Sequence, residues 1–270
     1  MKFNCANKIV IITGSGSGIG KTLAIEIGKK GAKIVLNGRN QKKLEAAAHE
    51  LKKLNIEVLH VQGDISVFDQ CKNIVEKIIY EYGKIDILIN NAGITSFGNF
   101  IDVDIEVFRK VVNTNLLGPA NMTKAALPYL KKTEGSVFFI GSIAGIHGIG
   151  KYSAYSCSKM ALTSLAESLK IELFATNIYV GIAYVGFTEN DIQKTFLDSK
   201  GNNISVPLRK NVKQVPQQKV AQQIVKMIER KKFKKTFTFL GKLNSIVNRF
   251  APFIIHRILL NDYRKAKEGS

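Results

Sequence analysis

The sequence predicts an α/β protein organised as a doubly wound parallel sheet with helices on both faces. Three observations carry this. Short β-branched apolar runs recur along the chain, amphipathic segments separate them, and a glycine-rich turn joins the first run to the first amphipathic segment. Strands and helices in strict alternation form a parallel sheet with right-handed crossovers.

The runs are Lys8–Thr13, Lys33–Asn37, Glu57–Gln62, Ile85–Asn90, Ser136–Ser142, Ile178–Val185 and Thr236–Leu240. Each is short and almost continuously apolar, as a strand covered on both faces must be. Between them Lys21–Lys30, Gln41–Leu54 and Asp69–Tyr82 place apolar residues at helical spacing. No repeat, low-complexity tract or linker divides the chain, so one domain over 1–240 is expected. Composition shifts near Lys231, and 241–270 reads as a basic amphipathic extension.

Composition sets the class. With 270 residues, 45% apolar and 23% charged, the chain can bury a two-sided core and does not resemble a disordered one. Cys5, Cys71 and Cys157 are odd in number, far apart and form no CxxC. That predicts reduced thiols in a cytoplasmic protein and argues against a disulfide framework or a metal site. No apolar stretch approaches the roughly 18 residues of a membrane span. No small-residue cleavage site follows Lys2 and Lys8, so no signal peptide is expected. Forty Lys and Arg against 21 Asp and Glu leave +19, a field that attracts nucleic acid, an anionic membrane or a phosphorylated cofactor. A lysine-rich proteome explains the excess equally well, and no nucleic-acid-binding motif accompanies the charge, which weakens that partner.

The first strand ends in Thr13-Gly14-Ser15-Gly16-Ser17-Gly18-Ile19-Gly20 and a helix opens at Lys21. Glycines there let the backbone turn tightly and approach a pyrophosphate, whose charge sits at the positive end of the helix. The position between first strand and first helix makes the motif specific. The second strand ends in Asn37-Gly38-Arg39-Asn40, without the acid that accepts from ribose hydroxyls in an NAD site. Arg39 instead offers its planar fork to a 2′-phosphate, so NADP(H) is the expected cofactor. Asp64 follows the third strand and Asn90-Asn91-Ala92-Gly93 the fourth, at the strand ends where open parallel sheets hold ligands.

Chemistry is expected from Tyr155-Ser156-Cys157-Ser158-Lys159. Tyr155 and Lys159, four apart, share one face of a helix. A free tyrosine has a pKa of roughly 10, and a neighbouring ammonium lowers it toward the range useful in proton transfer. Ser142 ends the fifth strand, where its hydroxyl can bond a substrate oxygen as charge develops. Tyr152 is read as an onlooker. Asn115 is the fourth candidate: Pro119 lacks the N–H that would bond the Asn115 carbonyl, which is then free to hold a water linked to Lys159.

These elements resemble the classical short-chain dehydrogenase/reductase family. TGSGSGIG, GDI, NNAG, the Asn of VNTNLLG, the Ser of IGSIAG and YSCSK run in family order from Thr13 to Lys159. The resemblance implies a Rossmann-type sheet of about seven strands, a catalytic Asn115–Ser142–Tyr155–Lys159 set, and homodimers or homotetramers. It implies that Lys159 also holds the nicotinamide ribose, and that Asp64 and Asn91 line the adenosine side. The expected cofactor set is Gly14, Ser15, Ser17, Gly18, Ile19, Gly20, Arg39, Asp64, Ile65, Asn91, Ala92, Gly93, Tyr155, Lys159, Val185, Gly186 and Thr188. One departure follows the sixth strand. Val185 replaces the family's usual proline, and Asn190 stands at the usual threonine position, with Thr188 close by.

A substrate lid is expected over about 187–215. It mixes Ile192, Phe196, Leu197, Val206 and Leu208 with Lys194, Lys200, Arg209, Lys210 and Lys213, and its apolar members favour a lipophilic ketone such as a steroid or acyl chain. From Lys231 to Ser270, ten Lys and Arg against Asp262 and Glu268 leave +8. Leu243, Ile246, Val247 and Phe250 form one helical stripe; Pro252 starts another with Phe253, Ile254, Ile258 and Leu259. Apolar stripes flanked by cations suit helices lying on an anionic membrane, peripherally on its inner face, or a tail packed on its own subunit or on a partner. The tail is similar to that of membrane-associated, hydroxysteroid-type members of the family. The expected activity interconverts a small-molecule carbonyl and alcohol. A non-catalytic NADP(H)-binding regulator and a peripheral membrane scaffold are the rival readings.

Overall fold

The computed structural model describes residues 5–189, 191, 194–207 and 214–268. Seven strands form one parallel sheet: β1 (Ile9–Thr13), β2 (Lys33–Gly38), β3 (Val58–Gln62), β4 (Ile87–Asn90), β5 (Ser136–Ser142), β6 (Tyr179–Val185) and β9 (Lys234–Thr236). A small antiparallel hairpin, β7 (Thr195–Leu197) and β8 (Asn203–Ser205), lies outside it. The sheet order is β3-β2-β1-β4-β5-β6-β9, so the winding reverses between β1 and β4. That reversal opens a crevice at the carboxyl ends of the strands.

Strand side chains alternate between two cores, as the period of two requires. Val10, Ile12, Ile87 and Phe138 pack under α1 (Gly18–Gly28), α2 (Gln41–Lys53) and α7 (Gln217–Glu229). Ile9, Ile11, Leu88 and Phe139 pack under α3 (Phe68–Tyr82), α5 (Gly118–Lys132) and α6 (Ser153–Glu172). The predicted two-sided sheet follows directly. Cys5 and Cys71 are buried thiols and Cys157 is an exposed one.

At the amino ends of the strands, buried Asp86 accepts from the Ile9 N–H at 2.9 Å and pairs with Lys8 at 2.9 Å and Lys84 at 3.0 Å. Burial opposes its ionisation, but these three partners win and hold the carboxyl below its usual range. This closes the end of the sheet away from the crevice.

The seventh strand is corrected. It occupies Lys234–Thr236 rather than Thr236–Leu240, and pairs with β6 alone. An edge strand leaves one side to solvent and so tolerates lysines. Thr238 then accepts from the Gly241 N–H at 3.1 Å, capping α8 (Phe239–Phe250) and drawing the following residues into a helix. Pro252 opens α9 (Pro252–Glu268). Among the described residues, no helix is long and apolar enough to cross a membrane.

Pro119 also leaves its mark. Between α4 (Ile105–Val112) and α5 the helix widens into a π-helical turn over Asn113–Leu117, and Gly118 N–H bonds the Asn113 carbonyl five residues back. The missing proline N–H is accommodated by that wider turn, of a kind common at functional sites.

Candidate active site

The crevice has a volume of about 420 Å³. Its floor is the first glycine loop, and three glycines there act for three reasons. Gly14 has φ +64, and a side chain on it would lie 2.7 Å from Ala92 Cα. Gly20 faces Asn91 Nδ2 and the Gly14 carbonyl, both 2.5 Å from an added Cβ. Gly18 has φ +59 and meets nothing within 4 Å, so its backbone faces open space. The first helix starts at Gly18, three residues before the predicted Lys21, which makes the loop its first turn. The Gly18 N–H donates to Asp191 Oδ2 at 3.2 Å, so this helix terminus already holds a carboxylate oxygen where a phosphate oxygen would sit. The cradle therefore fits a dinucleotide.

The neighbouring loop is fastened to it. Asn91 Nδ2 donates to the carbonyls of Thr13 at 2.9 Å and Gly14 at 3.0 Å, while Thr13 Oγ1 accepts from the backbone of Asn91 and Ala92. At the β2 end, the Arg39 guanidinium is half exposed and lies 3.8 Å from Asp64. Asp64 also accepts from Ser66, which fixes its carboxylate.

At the far end stand the chemical groups. Ser142 is buried, and its hydroxyl accepts from the Ala144 N–H at 3.2 Å. Tyr155 lines the crevice, with Lys159 Nζ 5.9 Å from its ring centroid. Lys159 is 4% exposed and donates to the Ile140 carbonyl at 2.9 Å. Burial, aided by the charge of Lys194, pulls its pKa down to about 8. An added Cβ on Gly93 would lie 3.2 Å from Asn115 Oδ1 and 3.5 Å from Lys159 Nζ, so these atoms meet at one small residue.

Gly14, Ser17, Gly18, Ile19, Gly20, Arg39, Asp64, Ile65, Asn91, Ala92, Gly93, Ser142, Tyr155, Lys159, Val185, Gly186 and Thr188 all line this crevice. Two expected residues stand behind it. Ser15 is fully buried, its hydroxyl donating to the Ile12 carbonyl at 2.6 Å and accepting from the Asn37 N–H at 3.0 Å. Asn115 acts through its side chain: Oδ1 accepts from Ile94 N–H at 2.8 Å, and Nδ2 donates to Ile94 O at 2.9 Å and Ser158 Oγ at 3.0 Å. It clamps the loop after β4 to α6. Asn190, Ile192, Leu208, Arg209, Lys210 and Lys213 lie outside the described residues.

Much of the lining at the far end of the crevice was not legible in the sequence. Tyr152 lines the crevice beside Ile94, Ile143, Ile149, Phe187 and Phe196. Tyr152 packs on Phe97, with ring centroids 5.1 Å apart, and edge-on against Phe196 at 6.3 Å. Part of the expected lid is the β7–β8 hairpin, whose Phe196 and Leu197 are buried. Leu197 exchanges backbone hydrogen bonds with Thr95 and Phe97. Phe196 is one of the apolar members that the sequence places in the lid; no local pattern marks Tyr152.

A family model described as short chain dehydrogenase matches residues 8–201, so the chain belongs to that family. Relatives include an 11-beta-hydroxysteroid dehydrogenase-like 4A of Arabidopsis thaliana, 41% identical over 185 residues, which are 68% of this chain and 62% of the relative. A 3-dehydrosphinganine reductase of Danio rerio is 36% identical over 222 residues, 77% of this chain and 66% of the relative. The chain thus spans about three fifths of the length of the Arabidopsis relative. Among solved structures, a short chain dehydrogenase/reductase from Burkholderia phymatum in complex with NAD has TM-score 0.76 at 21% identity, over 87% of this chain and 90% of that one. An alcohol dehydrogenase from Thermococcus sibiricus complexed with 5-hydroxy-NADP has TM-score 0.74 at 24% identity, over 85% and 95%. Both share the fold.

Proposed function

We propose that this chain is an NADP(H)-dependent oxidoreductase that interconverts a carbonyl and a secondary alcohol on a lipophilic substrate. The observation that carries it is the convergence of Ser142, Tyr155 and Lys159 on the crevice floored by the glycine loop. When bound, the nicotinamide supplies or accepts a hydride. The loop backbone, Asp64, Asn91 and Lys159 would hold the dinucleotide. In reduction, the Tyr155 hydroxyl gives its proton to the substrate oxygen, and Ser142 donates a hydrogen bond to that oxygen. The Lys159 ammonium favours the phenolate that Tyr155 becomes. Purified protein should oxidise NADPH with some member of a panel of bulky ketones, aldehydes and quinones. Tight NADPH binding without turnover across the panel would favour a regulatory binding protein instead.

NADP(H) is proposed over NAD(H) because Arg39, and no acid, directly follows β2. Arg39→Asp should reverse the native preference for NADPH, since a carboxylate repels the 2′-phosphate and accepts from ribose hydroxyls. Steady-state kinetics with both cofactors check this, and a native preference for NADH would sink the assignment. A lipophilic substrate such as a steroid, 3-oxoacyl or other bulky ketone suits the apolar wall of Ile94, Ile143, Ile149, Tyr152 and Phe196. Names among the relatives point the same way. Assembly into a homodimer or homotetramer belongs to this reading, and exposed Leu117, Ile171 and Phe174 offer apolar surface for it.

The reading extends to an anionic membrane surface. On α8 and α9, Ile246, Phe250, Phe253 and Ile258 are exposed by 58%, 78%, 71% and 51%, beside Lys242, Arg249, Arg257 and Arg264. Cosedimentation with phosphatidylserine vesicles should be strong, weaken with salt, and fall for neutral vesicles, because each basic residue contributes about 1 kcal/mol through a screened potential. Replacing both Phe250 and Phe253 by Ser should weaken it without unfolding the protein. Unchanged cosedimentation of that variant would refute membrane docking through this face.

A further inference from the structure

The loop between Ser142 and Tyr155 carries Ile149 and Tyr152 into the crevice, and the C-terminal helices hold it from outside. Asn248 Nδ2 on α8 donates to the Ile146 carbonyl at 3.1 Å, and Asn244 Nδ2 lies 2.8 Å from His147 Nε2. On α9, the Tyr263 hydroxyl bonds Asn99 Oδ1 at 2.9 Å, in the loop after β4. Its ring lies so close to Gly150 that an added Cβ there would be 2.9 Å from Tyr263 Cδ2. Only glycine admits the ring at that point.

Lys151 sits at the centre of these contacts. Its φ is 65, a left-handed conformation that a lysine keeps only where its surroundings hold it. Its ammonium stands over two rings, 5.7 Å from the Phe97 centroid and 5.9 Å from that of Tyr263. Its carbonyl accepts from the Gly98 N–H at 2.9 Å. Phe97 in turn packs on Tyr152 at the crevice. A continuous path runs from α9 through Tyr263, Lys151 and Phe97 to the crevice wall.

We propose that α8 and α9 brace the substrate wall, and that Lys151, held between Phe97 and Tyr263, is the positioning residue through which they act. The proposal assumes only that substrate binds at the Tyr152 end of the crevice. The brace makes substrate affinity, not dinucleotide affinity, depend on the C-terminal helices.

Full-length protein carrying Tyr263→Ala, Tyr263→Phe, Lys151→Met or Lys151→Arg tests it by two readouts. The first is amide exchange at Gly98, Ile146 and Tyr152, whose backbone hydrogen bonds lie in or against this loop. The second is the KM and kcat for whichever panel ketone the native protein reduces. Tyr263→Ala and Lys151→Met should speed exchange at all three amides and raise the ketone KM about tenfold: Lys151→Met loses both cation–π contacts, and Tyr263→Ala loses one of them together with the hydroxyl bond to Asn99. Their kcat and NADPH affinity should stay within about twofold of native. Tyr263→Phe keeps the ring and loses only the hydroxyl bond to Asn99, and Lys151→Arg keeps the cation, so each should stay nearer native than Tyr263→Ala and Lys151→Met. Native exchange at these amides in Tyr263→Ala would overturn the brace, as would a Lys151→Arg variant as impaired as Lys151→Met. Exchange needs no turnover, so a missing ketone activity would count against the oxidoreductase reading and leave the brace to its own test.

Discussion

Replacing Tyr155 by Phe should leave a folded protein that binds NADPH at native affinity and turns over about 10²–10⁴-fold more slowly, the usual contribution of a positioned acid or base. The ring survives, so the crevice wall on which it stands is preserved. Only the hydroxyl is lost, and with it the proton for the substrate oxygen. Lys159 would then have no phenolate to stabilise, and Ser142 alone can donate a hydrogen bond without supplying a proton. Steady-state kinetics, a fluorescence titration with NADPH and a melting curve separate the chemical effect from a folding one. Turnover near native in this variant would remove Tyr155 from the mechanism.

The fold was legible because its central strands are buried on both faces. Runs such as Ile9–Thr13 and Ser136–Ser142 are apolar wherever a side chain meets a helix layer, and every residue in them is buried. The edge was not. Lys234 and Lys235 pair on one side only, so solvent tolerates their charge, and the more apolar Phe237–Leu240 looked the better strand. A threonine cap decided against it.

In the site, legibility followed distance along the chain. Gly14 to Gly20 and Tyr155 to Lys159 are local patterns with local reasons. Ser15 lies within the first of these, yet its hydroxyl turns away to join β1 and β2. Sequence proximity says which backbone a loop presents and little about which side chain it shows. For Asn115, the proline argument concerns the backbone carbonyl; that the side-chain amide also clamps Ile94 and Ser158 had no local signal. Asp191 reaches the Gly18 N–H across 173 positions. Tertiary contacts of that range leave no periodicity to read.

Replacing Lys159 by Met should abolish turnover and change stability with a pH dependence that identifies the cause. Turnover should be lost, because the cation beneath Tyr155 and the donor expected to hold the ribose both go. Stability should respond differently. Burial holds the Lys159 pKa near 8, against an ordinary 10.5, so the folded state binds this proton less well than the unfolded chain. Below about pH 8 the ammonium is charged in both states and the fold carries the full penalty of burying it, at most on the order of 3 kcal/mol. Between pH 8 and about 10.5 the folded lysine is neutral while the unfolded one still holds its proton, and the penalty disappears as pH rises. Met removes the charge and leaves the Ile140 carbonyl without its donor, which costs about 1–3 kcal/mol at every pH. The melting temperature of Lys159→Met relative to native should therefore be highest near pH 7 and fall steadily toward pH 10. Melting curves without cofactor at intervals across that range measure it. A difference that stays flat with pH would show that Lys159 is not a destabilised buried cation, and its place beneath Tyr155 would then need another explanation.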